Sequence, residues 1–181
     1  MKVWFHYSVV NRLVIAGSVI LCLLLSPTRL PGMELLGVGT NWVLIWVVVW
    51  SLKRSVFQGI TAGLVLGLIQ DGLTGAYPSH VFSLVVVGFL TAKLQKQRYI
   101  QEDFISVALI TFAMVIVAES ITAGQYILAN IRPLEEIWLD YQRFVLSSAI
   151  LSSLWAPVLY YPLNSWWQKA PVTSPYKVKK R

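Results

Sequence analysis

The chain has 181 residues, of which 56% are hydrophobic and 13% charged, too apolar for a soluble domain of that length. Its net charge of +7 would suit nucleic acid, but Lys and Arg stand at the ends of apolar runs and form no basic face interleaved with stacking aromatics. Those runs approach the roughly 20 residues that cross a hydrocarbon core, so lipid is the solvent the sequence calls for.

The first run, Ser8 to Leu25, has Lys2 and Arg12 near its start and holds the only cysteine, Cys22. One cysteine excludes an intramolecular disulfide and a CxxC metal site. The run could be read as a secretory signal, but Ser26-Pro27-Thr28-Arg29 lacks a small-x-small cleavage pattern and further runs follow. An uncleaved first helix is the better reading.

A second helix is expected over Leu35 to Leu52, with Trp42, Trp46 and Trp50 on one stripe. A third, Val56 to Ile69, would cover only about 21 Å at about 1.5 Å per residue, short of a full crossing unless it is extended or sheltered. The break Asp71–Pro78 precedes a fourth run, Ser79 to Leu94. The fifth begins after Glu102-Asp103, whose negative charge suits the first turn of a helix, and reaches Leu128. A polar segment, Arg132 to Arg143, leads to the sixth, which ends near Tyr160 among Trp155, Tyr161, Trp166 and Trp167, residue types that favour the membrane–water interface.

The expected fold is therefore all-α and polytopic: six spans in a membrane domain over 1–167, followed by a basic tail over 168–181. With both termini in the cytoplasm, twelve of the 15 Lys and Arg residues lie inside and three, Arg29, Arg132 and Arg143, outside. The inverted arrangement would put the larger group on the wrong side. In the tail, Lys177, Lys179, Lys180 and Arg181 suit either an anionic leaflet, at about 1 kcal/mol per cation, or a cytoplasmic partner.

Glycines at 59, 63 and 67 form one stripe along the third helix, a pattern that lets helix backbones approach closely in lipid. Asp71 is next in that series. It is either a solvated loop residue or a packed carboxylate. If packed near a helix C-terminus it opposes the dipole there, and needs Arg29, Arg132, Arg143 or the free N–H groups near Ser79 and His80. Glu119, an ionisable residue in an apolar run, is a candidate functional residue by default. Structural hydrogen bonding on a helix-packing face is the favoured role, ahead of partner or ligand contact, with proton relay last because no second carboxylate is placed to hand a proton on.

No catalytic, cofactor or metal site is expected. His6 and His80 fall on opposite sides of the membrane in the expected topology, which argues against a two-histidine site. Ser147, Ser148, Ser152 and Ser153 share their helix with no His or Lys base, so nucleophilic catalysis has little support.

The order Asn41-Trp42, Trp50, Lys53-Arg54, Gly67-Leu68-Ile69-Gln70-Asp71, Gly75 and Pro78 resembles MreD, the rod shape-determining membrane proteins of bacteria. The match is best over residues 40–95. Thr40 stands where the family often has proline, and Ser79 near a position often taken by glycine, which bears on loop geometry. The tryptophan-rich second helix and Leu94-Gln95-Lys96-Gln97-Arg98 point to a cyanobacterial member. The resemblance implies a non-enzymatic scaffold of the cell-elongation machinery in the bacterial cytoplasmic membrane. Its implied partner is a single-span MreC-like protein, and through it MreB filaments and peptidoglycan synthases. Residues 50, 59, 63, 67, 71 and 119 would then serve helix packing or partner contact. The alternative is the substrate-binding component of an energy-coupling vitamin transporter, whose six-helix fold is thought to be similar.

Overall fold

A computed structural model describes residues 2–28, 34–35, 37–75, 78–96, 103–130 and 133–169. Six helices follow one another: α1 Lys2–Leu25, α2 Trp42–Ser51, α3 Val56–Thr74, α4 His80–Lys96, α5 Phe104–Leu128 and α6 Leu134–Lys169. Between α1 and α2, β1 Glu34–Leu35 pairs antiparallel with β2 Val38–Gly39. Three helices are long and apolar enough to cross a membrane by length and composition, namely Val56–Thr74, Phe104–Leu128 and Leu134–Trp167. Shorter apolar stretches lie at Val9–Leu25, Trp42–Ser51 and His80–Leu94.

α2 is the hub. Its sequence is apolar all round, the pattern of a helix enclosed by protein, and Trp42 to Val49 are all buried. It touches each of the other five helices. At 10 residues it covers about 15 Å at 1.5 Å per residue, half the hydrocarbon thickness.

The expected helix over Leu35 to Leu52 is thus too long at its start. Gly37, at φ +79°, takes a backbone conformation that side-chain-bearing residues rarely adopt, and it turns the chain into the hairpin. The helix begins where Asn41 can cap it, its side chain accepting from the Leu44 N–H at 3.1 Å.

Two further boundaries move. α3 opens on a capping box, with Ser55 accepting from the Gln58 N–H and the Gln58 side chain accepting from the Ser55 N–H. It continues past Ile69 to Thr74 and stops at Gly75, φ +101°, so Asp71 lies within the helix and not in a loop. The polar segment before the sixth run is also helical from Leu134, with Glu135 and Glu136 in the first turn, where the dipole favours them. α6 has 36 residues, about 54 Å, and its polar first turns extend well beyond what a hydrocarbon core requires.

Indoles tie α2 to α6. Trp46 stacks on Trp50 at 5.2 Å between centroids, Trp42 packs on Trp155 at 5.5 Å, and Trp50 meets Trp167 edge-on at 5.4 Å. Tilted and edge-to-face pairs of this kind add roughly 0.5–1.5 kcal/mol each beyond area burial. The Trp46 Nε1–H donates to Ser18 Oγ of α1 at 2.9 Å, so one indole N–H buried in the bundle has its acceptor.

Candidate functional site

The glycine stripe lies against α4. A Cβ at Gly59 would fall 2.5 Å from the Gly88 carbonyl oxygen, and one at Gly67 2.6 Å from Val81 Cα. A Cβ at Gly63 would overlap the Leu84 carbonyl. The clashes are with backbone, which no rotamer change relieves. α3 and α4 are therefore in backbone contact along three turns, the geometry small residues make possible in lipid. Gly88 completes the seam, because a Cβ there would overlap the Gly59 carbonyl. The sequence holds one glycine in α4 and no repeat, so only the pairing of the two helices reveals its role.

At the end of this seam Asp71 caps α4 from the neighbouring helix. Its Oδ1 accepts from the His80 backbone N–H at 2.7 Å, and its Oδ2 accepts from Ser79 Oγ–H at 2.7 Å. His80 Nδ1 lies 2.8 Å from Oδ1. The Asp71 side chain is 12% exposed and that of His80 30%. The C-terminus of α3 disfavours a carboxylate, but the N-terminus of α4, with its unpaired N–H groups, favours one. Of the compensating groups expected for Asp71, the structure supplies the α4 N–H groups. Arg29 and Arg132 lie outside the described residues.

α5 joins the same point through Gln125. Its Oε1 accepts from the Ser79 N–H at 2.9 Å and its Nε2–H donates to the Ser79 carbonyl at 3.0 Å. One carboxamide thus satisfies both backbone groups of the residue preceding α4. Gln125 escaped the sequence reading, although the only carboxamide in an otherwise largely apolar helix is the signal that would have found it. Glu119, on the same helix, is half-buried, within the electrostatic reach of His80. It has no hydrogen-bond partner among the described residues. Asp71 thus contacts His80 directly, whereas Glu119 acts on it only through electrostatics.

Trp50 lies at the opposite end of the seam, with the guanidinium of Arg54 4.4 Å from its ring centroid. Burial lowers the pKa of Arg54 from its ordinary value, and at any physiological pH the group stays cationic. The tail residues Lys177, Lys179, Lys180 and Arg181 lie outside the described residues. Among those described, no group of three or more His, Cys, Asp or Glu side chains could hold a metal ion.

A recess of about 280 Å³ opens where α1 ends and the hairpin meets α2, lined by residues that include Ser26, Thr28, Glu34, Thr40 and Trp42. Small-molecule sites usually run from roughly 300 to 1,000 Å³ and are mostly apolar, so this one is small and polar by comparison.

The model of one protein family, described as rod shape-determining protein MreD, matches residues 7–170, nearly the whole chain. The chain belongs to the MreD family. Comparison with curated proteins and with solved structures finds no match. The MreD match extends far beyond residues 40–95, where the resemblance is most legible, and takes in α5 and α6 with Glu119, Gln125 and the long final helix. In this MreD chain the glycine seam and the Asp71–Ser79–His80–Gln125 cluster join α3, α4 and α5. Membership makes this a rod shape-determining membrane protein.

Proposed function

We propose that the chain crosses the bacterial cytoplasmic membrane six times, with both termini in the cytoplasm. There it acts as a non-enzymatic scaffold of the cell-elongation machinery, associating with a single-span MreC-like protein and through it with MreB filaments and peptidoglycan synthases. The observation that carries this reading is the family match over residues 7–170. The excess of Lys and Arg on one side supports the orientation. The shorter helices α2 and α4 are compatible with six spans because α2 is walled by the other five helices and α4 is pressed onto α3. Rigid helix pairs and a buried hub suit a body that presents a fixed surface to partners.

The test is depletion of the protein in its host. Widened or rounded cells with mislocalised wall synthesis are the expected outcome, together with co-purification of a single-span protein from native membranes. Normal shape and wall insertion after depletion would end the scaffold reading.

The recess beside Thr40 favours a second reading, the vitamin-binding component, because its buried Thr40 hydroxyl has no partner. Its volume argues for the scaffold. Tight binding of a vitamin by the purified protein would reverse that preference.

A further inference from the structure

At the end of the bundle where α2 stops and α3 starts, the helix pairing Gly59 to Gly88, Gly63 to Leu84 and Gly67 to Val81 runs antiparallel. Carried one turn further, it sets Ser55 level with Lys93, so Lys53, Arg54 and Lys93 gather at this end. α6 also finishes here, bringing Trp167 against Trp50. The Arg54 guanidinium sits beside the pair, 4.4 Å from the Trp50 centroid and 5.9 Å from that of Trp167.

Cation–π contact of this kind satisfies none of the guanidinium N–H donors. Arg54 Nε is buried with no hydrogen-bond partner among the described residues. Trp167 Nε1 is in the same condition. Both atoms are donors, and among the described residues no carboxylate is paired with Arg54. A structural arginine in a bundle normally finds a carboxylate or a backbone carbonyl, because an unpaired buried charge is costly.

We propose that Arg54 and Trp167 form a phosphate-binding corner that holds the head group of an anionic phospholipid. Two buried donors stand without acceptors, and a planar guanidinium held against indoles carries a donor fork that matches oxygen pairs of phosphate geometry. The corner lies at a helix terminus bordered by tryptophans, the depth at which head groups sit. Lys53 and Lys93 add positive potential around it. The proposal rests on the six-span reading for its depth in the bilayer. Topology reporters test that reading independently of lipid binding, so the two can fail separately.

The test is a titration of the purified full-length protein in detergent with phosphatidylglycerol, phosphatidylcholine and inorganic phosphate, read by native mass spectrometry. Phosphatidylglycerol should bind in preference to phosphatidylcholine. Arg54→Gln should weaken it about tenfold, and Arg54→Lys should restore part of the loss. Trp167→Phe, which keeps a ring but removes the donor, should weaken binding by about threefold. Size-exclusion profiles identify any variant that fails to fold, and Trp167→Phe then carries the test. Unchanged binding in a folded Arg54→Gln or Trp167→Phe protein overturns the site, as does equal retention of the two lipids without binding of inorganic phosphate. If inorganic phosphate binds the wild type but not Arg54→Gln while the lipids show no preference, the phosphate corner stands and the lipid assignment falls.

Discussion

His80, the first residue of α4, gives its backbone N–H to Asp71 Oδ1 at 2.7 Å and holds its ring Nδ1 2.8 Å from the same oxygen, so a carboxylate in the last turn of α3 starts the next helix. Hydrogen bonds to a charged group contribute roughly 1.5–3 kcal/mol, and orphaned donors add a desolvation cost. Asp71→Ala should therefore lower the melting temperature of the purified protein clearly and reproduce part of the shape defect of depletion. Asp71→Asn, which keeps one acceptor oxygen, should be milder in both. A thermal-shift series with complementation scored in parallel would check this, and equal behaviour of Ala and Asn would count against a bonding role.

Gln125 holds the residue next to that contact, and its role is separable. Gln125→Leu should destabilise by about 1–3 kcal/mol because the Ser79 N–H and C=O lose their partner together. Since Gln125 and Asp71 both bond Ser79, and Asp71 also holds the adjoining His80, their effects should not add. A double-mutant cycle in denaturant should give a coupling of at least about 0.5 kcal/mol. Simple additivity would mean that the two contacts are independent.

Gly63 and Gly72 lie on the same helix but make opposite demands. A methyl group at Gly63 meets the Leu84 backbone, whereas nothing lies within 4 Å of one at Gly72. Gly63→Ala should cut the yield of folded protein, and Gly63→Leu should abolish it. Gly72→Ala should be neutral or add roughly 0.5–1 kcal/mol through helix propensity. Leu66→Ala also carries a cost, because Leu66 is buried, but it leaves the backbone contact in place and should be tolerated better than Gly63→Leu. Fluorescence-detected size exclusion would rank the four.

Reporter fusions address the membrane arrangement. Fusions at the C-terminus and after Lys53 should read cytoplasmic, and those at Gly75 and Glu135 external. A C-terminal fusion active only outside would require a different number of spans.

The elements differ in how far the sequence revealed them. The glycine stripe at 59, 63 and 67 was readable because periodicity within one helix is local. Its mate Gly88 was not, since a lone glycine has no period. Asp71 stood out as the next member of the series, and free N–H groups near Ser79 were among its possible partners. Gln125, 46 residues from Ser79, has no local connection to it. Hydropathy misjudged the second run because Leu35 and Val38 are as apolar as helix-forming neighbours, while Gly37 and Gly39 decide the backbone there. It also overlooked the start of α6, where Glu135, Glu136 and Asp140 make the segment polar yet continue the helix. The unpaired donors of Arg54 and Trp167 were beyond reach, since a motif names residues and not their missing partners.

The short central helix bears on how the protein is made. Asn41, which caps α2, gives its own backbone N–H to Ser152 Oγ of α6 at 3.2 Å, across 111 residues of chain. During synthesis α2 emerges well before the acceptor for the residue that caps it. Until then the turn before Trp42 has to keep this N–H hydrated or paired elsewhere, because lipid offers no acceptor. The start of α2 is thus completed only when α6 arrives, and a chain truncated before Ser152 would carry its defect at residue 41.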